Sequence, residues 1–224
     1  MEIIGFYHIY MINTWENLVN EQLQKIIHSN LYEISKKIYI SCLGDNTQKL
    51  ILEKIICDKH KFEIIFYHND GTFAEIPILQ HLQDLSSSKE FYAWYIHTKG
   101  ITSGQVDWRK EMETLVILNN RQCINVLNKN KHIGACGPRL TRGGFPFDLS
   151  KYGFNHQYHF SGNFWWAKST YIKKINIKLS EVWKDNKKNR LIAEAFIGML
   201  PSHDGMMNLT LNYKQSEIKK IKFL

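Results

Sequence analysis

The chain has 224 residues, of which 44% are hydrophobic, 13% aromatic and 22% charged. With only 4 Pro and 13 Gly it is neither collagen-like nor linker-like, and its aromatic content excludes global disorder. Lys and Arg number 29 against 21 Asp and Glu, a net charge of +8 that favours anionic partners without choosing among them.

The first predicted element is a buried strand over 3–12 (IIGFYHIYMI), rich in β-branched and aromatic residues. Asn13-Thr14 then offers a helix cap, and Trp15, Leu18, Val19, Leu23, Ile26 and Ile27 recur at helical spacing. A second strand over 37–43 (KIYISCL) closes at Gly44-Asp45, and a helix follows over 48–57. The third strand, 62–67 (FEIIFY), ends in the turn Asn69-Asp70-Gly71. A helix over 75–85 tolerates Pro77 in its first turn, and the fourth strand, 91–96 (FYAWYI), runs into His97-Thr98-Lys99-Gly100. The second half predicts one helical pattern over 107–127, a short strand at 132–136 and a loop over 137–158. A strand at 164–167 (FWWA) and a helix over 189–200 follow. This alternation predicts an α/β fold with a mixed, mostly parallel central sheet and helices on both faces. Residues 1–213 form one domain in this reading, and 214–224 a basic tail that reads as a solvated C-terminus.

The N-terminus has no basic region ahead of its apolar stretch, and no apolar run approaches the roughly 20 residues needed to span a bilayer. The expectation is a protein that stays in the compartment where it is made, cytoplasmic, with the tail able to touch an anionic membrane peripherally. Four widely spaced cysteines (Cys42, Cys57, Cys123, Cys136) form no CxxC pair, and most of them read as buried thiols in a reducing compartment. His156 and His159 lie three apart in the predicted loop, but no HExxH, GxGxxG or P-loop pattern is present. Helix-turn-helix, zinc-finger and RRM signatures are missing as well, so nucleic acid is not an expected partner.

In parallel α/β sheets ligands bind beyond the carboxyl ends of the strands. The sharpest group there is His97-Thr98-Lys99-Gly100, where Lys99 supplies a compact cation, Thr98 a hydroxyl and Gly100 an approachable backbone, a set suited to a diphosphate. Gly162-Asn163, ahead of Phe164-Trp165-Trp166, offers backbone and amide groups to a sugar, or else simply a turn entering an aromatic strand. Arg190 and Glu194 lie on one helix face at i,i+4. They read either as a surface ion pair or with Glu194 as a general base, Asp204 being the rival carboxylate.

The segments FYHIYMINTW, LYEISKKIYISCLGD, AEIPILQHL, WYIHTKGI, DWRKEME, HFSGNFWWAKSTYI and RLIAEAFIG follow one another in the order of a small GT-A-like glycosyltransferase family. The chain resembles the N-terminal domain of a chlorella-virus capsid-glycan enzyme and glycosyltransferases of bacterial surface-polysaccharide clusters. The resemblance spans residues 6–198, with HTKG and GNFWWA as its specific parts. It implies a GT-A-like (Rossmann-like) domain of hexosyltransferase type. Such a domain moves a sugar from a nucleoside diphosphate donor, UDP-linked, to a hydroxyl of a glycan or lipid-linked glycan acceptor, with inversion. In that frame Tyr7, His8 and Asp45 face the nucleoside, and Asn69, His97, Thr98 and Lys99 the diphosphate and sugar. Gly162 and Asn163 line the sugar, with Trp165 or Trp166 behind, and aromatics of 145–166 stack on the acceptor. The chain departs from many GT-A enzymes in having no Asp-x-Asp. Either a divalent metal (Mn²⁺ or Mg²⁺) is held by other groups, with Asp70, His97 and His203 as candidates, or Lys99 and Arg109 neutralise the leaving diphosphate. Ala195-Phe196 also stands where the family pattern has a larger aromatic.

Overall fold

Strand β1 (Glu2–Tyr10) lies inside a sheet, paired in parallel with β2 (Lys37–Leu43) on one side and β4 (Phe91–His97) on the other. The structure is a computed structural model that describes residues 1–98, 105–146, 148–150, 154, 157–177, 179, 189–200 and 205–210. Strand β3 (Phe62–His68) extends the parallel set beyond β2. On the other flank β8 (Trp165–Lys168) runs antiparallel to both β4 and β5 (Ala135–Gly137), and β9 (Met206–Asn208) pairs in parallel with β5. Among the described residues the sheet order is β3-β2-β1-β4-β8-β5-β9. A separate ribbon pairs β6 (Leu140–Arg142) with β7 (Tyr158–Phe160). The expected α/β architecture, mostly parallel and in one domain, is thus the observed one.

Side chains of β1 alternate between two cores, as a strand requires. Ile4 and Phe6 join one cluster with residues of α4 (Ile76–Ser88), α7 (Ser169–Ile172) and α8 (Asn189–Ala195). Tyr7 and Ile9 join the opposite cluster with α1 (Trp15–His28), α2 (Leu31–Ile34), α5 (Val106–Glu113) and α6 (Asn120–Lys129). Leu52 of α3 (Asn46–Ile56) packs on that second face too. Helices therefore cover both faces, and each fully buried Ile or Phe contributes roughly 1.5–3 kcal/mol. Trp94 fits against β1 only because Gly5 has no side chain: a Cβ there would lie 2.2 Å from the indole.

The three indoles of the central strands are wholly buried, and each N–H has an acceptor. Trp94 donates to Ser35 Oγ (3.0 Å), Trp165 to Asn163 Oδ1 (2.8 Å) and Trp166 to the Val116 carbonyl (2.9 Å). Val116 belongs to a π-helical segment, Thr114–Leu118, between α5 and α6. The single helix expected over 107–127 is thus three pieces, and the wider turn lets a backbone carbonyl serve a side chain. Thr14 occupies the N-cap position of α1 without a side-chain capping bond. The helix expected over 189–200 is α8 followed by a 3₁₀ turn, Phe196–Gly198. The loop expected over 137–158 contains β6.

Candidate functional site

The order β3-β2-β1-β4 places β2 and β3 on one side of β1 and β4 on the other, so the crossover direction reverses between β1 and β4. In such a sheet the crevice beyond the carboxyl ends of those two strands is the natural ligand position. His97 ends β4 there, in register with His8. Thr98 continues the ladder: its N–H donates to the His8 carbonyl (3.1 Å), and its hydroxyl accepts from Tyr10 N–H (2.9 Å). Thr98 is buried, and this bonding makes it a clasp between the two strand ends.

On the α4/α8 face His97 links three segments. Its Nε2 donates to the Gly162 carbonyl (2.9 Å), and its Nδ1 lies 3.5 Å from Glu75 Oε1, just ahead of α4. Gly162 in turn donates its N–H to Glu194 Oε1 on α8 (3.1 Å). Gly162 occupies a β-turn closed by Asn163 N–H to the Phe160 carbonyl (2.9 Å), and its φ of +95° suits glycine. A Cβ there would also lie 2.4 Å from Met112 Sδ. One peptide unit thus faces His97 with its glycine carbonyl, while the N–H of the same glycine faces Glu194. His159 lies close enough to Glu194 to feel its charge, which partly offsets the lowering of its imidazole pKa by burial.

The structure brings His97, Gly162 and Glu194 together and distributes the other expected residues differently. Tyr7 and His8 are adjacent on one strand, so they point to opposite faces and do not share a nucleoside. Tyr7 is fully buried and donates its hydroxyl to Gln22 Oε1 (2.6 Å), while His8 is 3% exposed with Nδ1 2.8 Å from Ser41 Oγ. Burial alone pushes the His8 imidazole down to about 3. Asp45 is the N-cap of α3, in a reciprocal capping box with Gln48, and is exposed at the end of β2. Asn69 is exposed after β3. Asn163 is buried: it accepts from the Trp165 indole and donates to the Ala193 carbonyl (3.3 Å), so it ties α8 to the sheet rather than lining an open surface. Phe154, Phe160, Phe164, Trp165 and Trp166 are buried, which leaves Phe145 and Tyr158 as the partly exposed described aromatics of 145–166. Arg190 is exposed, and Glu194 turns instead to Gly162. Lys99, Gly100, His156, His203, Asp204 and the 214–224 tail lie outside the described residues.

A second polar network sits behind the strand ends on the α1/α5 face. Gln22 accepts from Tyr7 and donates to Glu113 Oε1 (2.8 Å) and to the His97 carbonyl (3.3 Å). Glu113 is also 2.5 Å from Lys25 Nζ, and its Oε1 lies 3.4 Å from Arg109 Nε. Arg109, a candidate for the leaving diphosphate, thus belongs to an ion cluster with Glu113 and Glu21. Sequence reasoning missed Gln22, Glu113 and Glu75, because each sits in or beside an amphipathic helix where a polar residue normally reads as solvated. Arg109 and Glu113 at i,i+4 were the available signal for the cluster.

Of the metal candidates, His203 lies outside the described residues, and His97 and Asp70 are each engaged elsewhere. His97 Nε2 is engaged with the Gly162 carbonyl (2.9 Å), and Asp70 Oδ1 accepts from Thr72 N–H (2.8 Å) to cap a short turn. That hydrogen bond holds the Asp70 carboxyl below its ordinary value. Among the described residues no group of three or more His, Cys, Asp or Glu converges.

A family model matches the chain over residues 6–204, a span that contains the strand ends and both networks. The chain belongs to this family, described as a domain of unknown function, DUF8361. No curated protein matches it. The matched span of this DUF8361 chain holds His97, Gly162, Glu194, Glu75, Gln22 and Glu113, and leaves the 214–224 tail outside. Among the described residues no helix of the DUF8361 chain is long and apolar enough to cross a membrane.

Proposed function

We propose that this chain is a glycosyltransferase of hexosyltransferase type, moving a sugar from a nucleoside diphosphate donor, UDP-linked, to a hydroxyl of a glycan acceptor. One observation carries the reading: the Gly162 turn joins His97, at the reversal point of the sheet, to a half-buried carboxylate, Glu194. The donor lies across the ends of β1 and β4. Glu194 removes the proton from the acceptor hydroxyl as its oxygen attacks the anomeric carbon, and the bond to the diphosphate breaks on the opposite face, which inverts the configuration. Lys99 neutralises the leaving diphosphate in this proposal, and Asp204 is the alternative base. Asp45 and Asn69, exposed at the ends of β2 and β3, are the described polar residues left for the nucleoside and diphosphate. No step is routed through a metal.

The acceptor class is a surface polysaccharide or a lipid-linked glycan, and the place of action is the cytoplasm or the cytoplasmic membrane face. A non-catalytic nucleotide-sugar-binding module is the second reading. It is favoured by the bond from Gly162 N–H, which occupies one Glu194 oxygen.

Thermal-shift measurements with UDP, GDP and dTDP sugars, with and without Mn²⁺, test donor binding, since a ligand that binds only the folded state raises its stability. Acceptor-dependent nucleotide release then separates enzyme from module. Glu194→Gln is expected to lower that release by roughly 10²–10⁴-fold at unchanged donor stabilisation. Undiminished release in Glu194→Gln removes it as the base, and Lys99→Ala at the wild-type rate removes Lys99 from the chemistry.

A further inference from the structure

Strand β3 is the outer strand of the sheet beside β2, and among the described residues no strand pairs with its other side. Backbone N–H and C=O groups along such an edge are open to a further strand. The opposite edge, β9, has only three residues, and a short edge offers little to pair with. β3 has seven residues, FEIIFYH, with none of the proline or lysine that commonly guards an edge. Ile64, Ile65, Phe66 and Tyr67 follow one another along it, all half-buried. On the α4 side Ile65, Phe66, Ile76, Pro77 and His81 line a cleft of about 220 Å³.

An irregularity in the β3 backbone selects what can pair there. The Lys61 carbonyl accepts from Ile38 N–H (2.8 Å) and the His68 carbonyl from Gly44 N–H (3.0 Å), so both point toward β2. In a regular strand, residues seven apart face opposite sides. The register moves from Ile40–Ile64 directly to Ser41–Phe66, and the extra residue, Ile65, turns both carbonyls to the same side. Alternation inward from each end leaves the backbone groups of Ile64 and Tyr67 pointing outward. They stand three residues apart instead of the usual two. A regular strand from another protein would miss one of them, whereas a second β3 running antiparallel carries the same spacing.

We propose that β3 pairs antiparallel with β3 of a second copy of this chain, about a two-fold axis between Ile65 and Phe66, with Ile64 opposite the partner's Tyr67. Such a pair exchanges two backbone hydrogen bonds, and the two-fold axis repeats it. The same register sets Glu63 opposite the partner's His68, and Lys61 opposite the partner's Asp70. Both pairs are complementary. His68 Nδ1 accepts from Asp70 N–H (2.9 Å), so in the neutral ring Nε2 holds the hydrogen and can donate to a carboxylate. The Glu63 side chain is paired with Lys37 yet 50% exposed. Lys61 and Asp70 carry opposite charges at the two ends of the strand. On the α4 side Ile65 and Phe66 meet the partner's Phe66 and Ile65 beside the cleft.

Sedimentation equilibrium of the full chain, from micromolar to near-millimolar concentration, should show the mass rising from 26.5 kDa toward twice that value. Hydrogen exchange at the Ile64 and Tyr67 amides should slow as the dimer forms. A Cys57→Ser/Glu63→Cys/His68→Cys chain tests the register. With oxidised glutathione it should give a disulfide-linked dimer joined between positions 63 and 68, which along one strand lie about 16 Å apart and cannot join within a chain. Glu63→Lys should raise the dimer dissociation constant about tenfold, and adding His68→Glu should bring it back. A chain that stays monomeric throughout overturns the proposal and leaves the edge to a strand of another protein. A dimer whose Ile64 and Tyr67 amides exchange as fast as in the monomer has its interface elsewhere and overturns it too. The unaltered chain supplies the mass and exchange results if a variant fails to fold.

Discussion

Glu113 Oε2 lies 2.5 Å from Lys25 Nζ, at a point where only 1% of the glutamate side chain reaches water. The same carboxylate takes the Gln22 amide, and Gln22 holds both the Tyr7 hydroxyl and the His97 carbonyl. An ion cluster on one face of the sheet is therefore bonded to the strand end whose His97 side chain lies on the other face.

Removing Glu113 leaves Lys25 and Arg109 with Glu21 as their remaining carboxylate and takes away one of the two acceptors of the Gln22 amide. Glu113→Ala is expected to cost about 1–3 kcal/mol in urea unfolding, the scale of leaving a buried donor without its acceptor.

The cluster also sets a pH window. The hydrogen bond from Lys25 is the chief reason the Glu21 carboxyl lies below its ordinary 4.5, so its contribution is present above that pH and is lost as pH falls through the lowered value. Burial works against the charge of Lys25, but its bonds to Glu113 and Glu21 outweigh it and raise the ammonium above 10.5. That contribution is present below 10.5 and is lost as pH rises through the raised value. Lys25→Met should therefore flatten both the acid and the alkaline limb of the stability curve.

His8 gives a separate acid response. The unfolded imidazole takes a proton near 6.5 and the folded one only at about 3, so stability falls as pH drops between those values. The slope for this one proton approaches about 1.4 kcal/mol per pH unit. In His8→Gln, chemical denaturation at a series of pH values should lose that slope.

Gly5 and Trp94 should show strong coupling. Gly5→Ala is expected to cost about 1–3 kcal/mol through overpacking. In a Trp94→Leu background the same change should cost less, with a double-mutant coupling of about 0.5–3 kcal/mol.

Asp45→Ala should destabilise by about 1 kcal/mol through loss of the α3 cap, whereas Asp45→Asn, which can still cap, should stay near wild type. Any donor affinity that Asp45→Asn loses then belongs to the ligand and not to the helix.

The half of the chain carrying β1 to β4 was legible because its strands and most of its helices are long enough to show their period, and the turn residues between them are explicit. On the flank, β8 and β5 match the strands expected at 164–167 and 132–136, whereas the three residues of β9 carry no measurable alternation and the antiparallel insertion of β8 is a tertiary choice. At the site, His97 and Glu194 were visible as polar residues at the end of one element and inside another. Glu75 was not: before a helix, a glutamate reads as a first-turn acid, and only the fold shows it turned toward an imidazole. Asp45 has a second role that the sequence also spells. Asp-x-x-Gln at a helix start already spells a capping box, and the nearby strand end drew attention from it.

The indole N–H groups of Trp94, Trp165 and Trp166 reach Ser35, Asn163 and Val116. Each acts as a dowel between the sheet and what covers it, two toward the α1/α6 side and one, through Asn163, toward α8. A helix sliding along its axis by even one residue, about 1.5 Å, would pull an acceptor away and strand a polar hydrogen in the dark. Both flanking layers are thus pinned to the sheet, and axial sliding of either costs a buried hydrogen bond.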